Sequence, residues 1–248
     1  QSEQMIGTLA HALVERVFLP GAPPEPEDAF AQATTILPDL IEEMAAPLLA
    51  PGQAAELMRV RRDLPEAARA LATHLGENGL TIAAVEAEAI APDTPSPGVE
   101  FGGRIDMQLT DGRGRPIVID FKWSRNDRYR RQQLEKGSAV QLAAYARLSG
   151  AGEAAGYYML AQRRIVGRAG AMPGGAIEGA PSLGDTWARV VESFNQRHAV
   201  IKGGKLHAIG IDYNPANPAP DPDGISVVTS PHCNFCDYVH LCGKELVR

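Results

Sequence analysis

Two aspartates and a lysine fall where a short β-hairpin would gather them. Side chains on a strand alternate between its faces. In IVIDFKW (117–123), Asp120 and Lys122 therefore share one face, while Ile117, Ile119 and Phe121 take the other. FGGRIDMQL (101–109) alternates in the same way, placing Ile105, Met107 and Leu109 on one face and Asp106 and Gln108 on the other. DGRGRP (111–116) reads as the turn between them, so the hairpin carries Asp106 toward Asp120. Two carboxylates a few ångströms apart repel unless a cation lies between them. Oxygen ligands of this kind suit a hard divalent ion, Mg²⁺ or Mn²⁺. Such an ion neutralises a phosphodiester and generates a hydroxide, and a lysine beside it stabilises the charge of the transition state. A lone D-x-K equally fits a surface hairpin with ordinary salt bridges, so the neighbouring motifs carry the inference.

Three further features surround this pair of strands. His11 lies at the edge of the apolar face of a first helix, a turn after Gly7. Gln141 and Tyr145, in QLAAY, stand four apart and so share a helical face. The stretch 122–136 carries Lys122, Arg125, Arg128, Arg130, Arg131 and Lys136 against only Asp127 and Glu135. A local basic patch of this kind is what a nucleic-acid backbone requires. The formal net charge of −6 speaks against a simple nucleic-acid clamp. It leaves a nuclease open, because carboxylates that hold a cation count toward the negative total.

The elements that must position these residues are legible from periodicity. Helices are predicted over 5–19, 28–50, 53–75, 130–149 and 185–201, with Pro51-Gly52 breaking the second from the third. Strands are predicted over 81–91, 101–109, 117–123 and 154–161. Residues 167–184 read as a glycine-rich loop and 215–222 as a proline-rich connector. The expected fold class is α/β: one domain over 1–248, with a mixed central sheet flanked by helices, a helical insertion at 28–75 and a cysteine-containing segment at 230–248. With 44% apolar residues the chain can bury a sizeable core. Its apolar runs are too short for a membrane span, and no signal peptide is visible. The chain starts at Gln1 rather than Met and reads as a piece of a longer protein. Its three cysteines do not suggest a secreted disulfide framework, so a reducing, cytoplasmic setting is expected.

GTLAHALVERVF, GGRIDMQL, VIDFKWS and QLAAYARL, in that order, resemble the motifs of the RecB-type branch of the PD-(D/E)XK nucleases. The resemblance covers roughly residues 5–162 and 230–245. It implies a restriction-endonuclease-like core. It also implies that His11, Asp106 and Asp120 bind the metal, with the Phe121 carbonyl as an additional ligand. Lys122 would be the catalytic lysine, and Gln141 and Tyr145 would position DNA or that lysine. Glu86 falls on the strand where many relatives carry a glutamate. One departure is the Trp123-Ser124 pair that follows the lysine, where relatives often have Thr-Gly; this bears on the local loop shape.

HCNFCDYVHLCGK holds Cys233, Cys236 and Cys242 in C-x2-C-x5-C spacing, which lets thiolates reach one metal centre. AddB-like nucleases, and the related exonuclease of CRISPR adaptation, close their nuclease domain with a similar triplet. There a fourth cysteine upstream of the first motif completes a [4Fe–4S] cluster. This chain lacks the fourth cysteine, so the alternatives are an incomplete cluster site, a zinc site completed by His232 or His240, or structural cysteines. The resulting expectation is a metal-dependent DNA exonuclease-like domain that works with a helicase in end processing and recombinational repair. Its rivals are an inactive DNA-binding or scaffold module that keeps the fold, and an enzyme acting on another phosphoester.

Overall fold

The computed structural model describes residues 2–91 and 94–205, so the segment with Cys233, Cys236 and Cys242 lies outside the described residues. The chain opens with α1 (Ser2–Val17), whose Ile6, Leu9, Ala10, Leu13, Val14 and Val17 recur every three or four residues and are all buried. α2 (Pro26–Met44) starts on a proline, which needs no N–H at that position, and buries Ala29, Ala33, Leu37, Leu40 and Ile41. The helix expected over 28–50 is shorter. It stops at Met44, and a 3₁₀ turn over Ala46–Leu49 follows. Pro47 in that turn has no N–H to extend an α-helix and would crowd the carbonyl four residues back. α3 (Ala54–Glu77) packs against both α2 and α1. No helix among the described residues is long and apolar enough to cross a membrane.

A five-stranded sheet follows, with strands in sequence order: β1 (Thr81–Ala91), β2 (Phe101–Thr110), β3 (Pro116–Lys122), β4 (Ala155–Met159) and β5 (Arg164–Gly167). All neighbours pair antiparallel except β3 and β4, which are parallel. A parallel pair needs a crossover, and α4 (Arg128–Glu135) with α5 (Val140–Ser149) supplies it. The single helix expected over 130–149 is therefore two. Gly137 breaks it at φ +62°, where an added Cβ would also come within 3.1 Å of Pro181. The strand expected over 154–161 ends at Met159. A 3₁₀ turn (Leu160–Gln162) and Arg163 at φ +57° then reverse the chain into β5, which at four residues is too short to show a sequence period. Last comes α6 (Leu183–Lys202), capped by the Ser182 hydroxyl, which accepts from the Asp185 N–H at 2.8 Å.

Each face of the sheet carries its own core. Met107, Leu109, Ile117, Ile119, Phe121 and Tyr158 pack with α1–α3, while Ile105, Val118, Tyr157 and Met159 pack with Leu134, Leu142 and Leu183 of α4–α6. Burying each such large apolar side chain stabilises the fold by roughly 1.5–3 kcal/mol. The expectation that Ile105, Met107 and Leu109 share one face fails at Ile105, which joins the opposite core. The sheet is irregular at this point. Across from it Glu86 sits in β1 at φ +49°, between the pairs Val85↔Met107 and Ala87↔Ile105. The β2–β3 ladder also ends there, at Met107↔Ile119. Asp106 is the residue at the break.

Candidate metal centre

Where the β2–β3 ladder stops, the strand backbone is left with groups to satisfy, and the centre is built from them. The Phe121 N–H donates to Asp106 Oδ2 at 2.7 Å instead of to a strand carbonyl. The Phe121 carbonyl lies 3.1 Å from His11 Nε2 on α1. The second ring nitrogen of His11, Nδ1, is 3.1 Å from Glu86 Oε1 and 3.7 Å from Asp106 Oδ2. His11, Glu86 and Asp106 thus each offer a ligand atom, all within 4.8 Å of one another. On β3 the Lys122 ammonium stands 2.6 Å from Asp120 Oδ2, and the Asp120 side chain is fully buried.

The electrostatics describe a site short of positive charge. A carbonyl and a carboxylate can only accept, so the two contacts of the His11 ring require both nitrogens to carry protons. Burial lowers the His11 pKa, but the Glu86 hydrogen bond and the charges of Asp106 and Glu86 outweigh it, and the net direction is upward. Burial, then the charge of Asp120, pushes Asp106 up to about 7. Asp120 is also raised, by burial first, against the pull of Lys122. Lys122 pairs with Asp120 Oδ2 at 2.6 Å, which leaves Asp120 Oδ1 buried without a hydrogen-bond partner among the described residues. A buried, unsatisfied carboxylate oxygen is costly. A divalent cation would satisfy it, and a set of carboxylates, one imidazole and one backbone carbonyl fits Mg²⁺ or Mn²⁺.

The residues singled out from sequence fall into three groups. His11 and Asp106 meet with Glu86 in one cluster, with the Phe121 carbonyl against His11, while Asp120, paired with Lys122, stands outside that cluster yet near enough for its charge to raise the Asp106 pKa. Gln141 and Tyr145 lie on α5, with Gln141 Nε2 donating to the Tyr145 hydroxyl at 3.1 Å. Burial raises the Tyr145 pKa, as do, more weakly, the charges of Asp106, Asp120 and Glu86, so the phenol keeps its proton beside the centre. The four arginines separate. Arg125 and Arg128 are exposed and Arg131 is half-buried. Arg130 turns inward: its guanidinium lies 5.3 Å from the Tyr157 ring centroid, donates to Gln133 Oε1 at 2.8 Å, and lowers the pKa of Asp120 by its charge.

Sequence reasoning gave no role to Arg104, which donates through Nε to the Glu86 carbonyl at 2.9 Å. Nothing in the alternation of FGGRIDMQL marks it, because the contact depends on the kink at Glu86. Glu153 was likewise unmarked; it accepts from the Leu183 and Gly184 N–H groups at the start of α6. That contact is structural, a carboxylate at a helix N-terminus. A cleft of about 430 Å³ opens onto His11, Glu86 and Arg104, with Gly7, Thr8 and Glu15 of α1 on its wall. No curated protein is similar enough to the chain to count as a match. Over residues 1–243 the sequence fits the family model of the PD-(D/E)XK nuclease superfamily, and the chain belongs to that superfamily.

Proposed function

We propose that the chain is a metal-dependent deoxyribonuclease domain of the RecB/AddB-like type, hydrolysing phosphodiester bonds of DNA at strand ends as part of a helicase–nuclease. The observation that carries this reading is the convergence of His11, Glu86 and Asp106 within 4.8 Å beside the buried Asp120–Lys122 pair. His11, Asp106, Asp120 and the Phe121 carbonyl would hold Mg²⁺ or Mn²⁺, with Glu86 as a further ligand. The cation supplies charge neutralisation and a lowered pKa for water. Lys122, at the end of β3, orients the attacking water and donates to the phosphate oxygen on which charge develops. Tyr145, kept protonated, donates to a second phosphate oxygen, and Gln141 fixes the direction of its hydroxyl. Arg125, Arg128 and Arg131 follow directly after the catalytic strand and take the flanking phosphates.

The order of the four motifs supports the RecB-type assignment, and the C-x2-C-x5-C spacing supports an iron–sulfur or zinc centre on these cysteines. Cleavage of end-labelled single- and double-stranded DNA in Mg²⁺, Mn²⁺ and EDTA tests the function. Cleavage in either metal and none in EDTA is expected. Cleavage that persists in EDTA would remove the metal from the mechanism.

A further inference from the structure

Glu86 is the strained residue of the centre. It lies inside β1 with φ +49°, a region that a residue bearing a Cβ enters only when its surroundings hold it there. Arg104 supplies that hold. Its Nε donates to the Glu86 carbonyl at 2.9 Å and stands 3.2 Å from Glu86 Oε2. The other carboxylate oxygen, Oε1, is 3.1 Å from His11 Nδ1. One guanidinium therefore grips both the backbone and the side chain of a single residue, and the carboxylate is fixed between Arg104 and His11. The ladder explains the reach: Arg104 pairs with Glu88, so Glu86 is its diagonal neighbour across β1 and β2. Arg104 is 59% exposed on the cleft, with Glu15 of α1 at 3.8 Å from Nη2. The bond to the Glu86 carbonyl constrains ψ of Glu86 and the peptide that follows.

We propose that Arg104 is a positioning residue for the metal centre: it holds Glu86 in the left-handed conformation and thereby turns its carboxylate toward His11 and Asp106. This rests on the metal-site reading above. Partners that orient metal ligands commonly change metal affinity by about 10–100-fold when removed. Both contacts come from Nε, and a lysine carries no N–H at that place on its stem, so Arg104→Lys should recover only part of the function.

The test is a metal-free crystal structure of Arg104→Ala, together with Mn²⁺ titrations followed by electron paramagnetic resonance. The titrations compare the unmutated chain, Arg104→Ala, Arg104→Lys, Glu86→Gln and the Arg104→Ala/Glu86→Gln double variant. The expected structure has Glu86 at negative φ with its carboxylate away from His11. Mn²⁺ affinity should fall at least about tenfold in Arg104→Ala, and the double variant should bind no worse than Glu86→Gln, because both changes act through one carboxylate. Should Arg104→Ala not fold, Arg104→Lys decides in the same two measurements, with Glu86 displaced and an intermediate affinity expected. Glu86 retaining its positive φ and its His11 contact would overturn the proposal, as would losses from the two single changes that multiply in the double variant. The structural readout does not depend on catalysis. A protein that cleaves no nucleic acid but whose Glu86 moves in Arg104→Ala would sink the nuclease reading and keep this one.

Discussion

Asp106→Asn should make the metal-free protein more stable at alkaline pH while removing its response to metal. Asp106 is 6% exposed and its pKa is raised from 3.8 to about 7. The folded state therefore prefers the protonated acid, and the ionised group works against folding. The penalty is absent below the unfolded pKa, grows as pH rises from there through about 7, and is constant above. A shift of roughly three pK units corresponds to about 4 kcal/mol at pH 8. Asparagine removes the charge and keeps a carbonyl oxygen to accept from the Phe121 N–H, and the extra strength of that bond to the charged form is already contained in the shift. Urea denaturation at pH 8 in EDTA should thus show Asp106→Asn more stable by about 4 kcal/mol, with the difference vanishing near pH 4. Added Mn²⁺ should stabilise the unmutated chain and leave the variant unmoved. An Asp106→Asn protein no more stable than the original at pH 8 in EDTA would refute the view that this carboxylate is held strained in wait for a cation.

Three further outcomes are expected. Tyr145→Phe, which removes only the hydroxyl that Gln141 orients, should lower kcat about tenfold, about 1.4 kcal/mol of transition-state stabilisation, at unchanged Mn²⁺ affinity; equal kcat would take Tyr145 out of the reaction. Neutralising Arg125, Arg128 and Arg131 together should weaken DNA binding without sequence preference, and the log–log salt slope should shrink by up to about 0.9 per lost duplex phosphate contact; an unchanged slope would put the groove elsewhere. Iron and zinc analysis after anaerobic purification should find metal bound through Cys233, Cys236 and Cys242 in a chain that includes an upstream cysteine; finding neither metal there would make these structural cysteines.

Much of the fold was legible because its segments obey simple periods. α1 shows its buried stripe in sequence, and β3 shows Asp120 and Lys122 on one face. What was hidden is where regular pairing fails. The break at Asp106 swings Ile105 into the other core, Gly137 divides one expected helix into α4 and α5, and four-residue β5 is below the length at which alternation speaks. The centre follows the same division. Asp106, Asp120 and Lys122 come from strand alternation, and the placement of His11 came with the order of the motifs. Glu86 and Arg104 owe their positions to a left-handed backbone residue inside a strand, which no local propensity announces. Arg130 reads as one more surface cation in a basic run, yet its neighbours Tyr157 and Gln133 draw it inward.

The central claim, phosphodiester hydrolysis on a cation held at this centre, is tested most directly by comparing Asp120→Ala and Lys122→Ala in one DNA-cleavage assay with Mn²⁺ binding measured in parallel. On the proposed reading Asp120 would be a metal ligand and Lys122 would act on the transition state, so the two losses should separate. Asp120→Ala is expected to lose metal binding and cleavage together. Lys122→Ala is expected to keep the fold and bind Mn²⁺ while cleavage falls by a hundredfold or more, about 2.7 kcal/mol or above. A folded Lys122→Ala protein that cleaves DNA as fast as the unmutated chain would contradict the account.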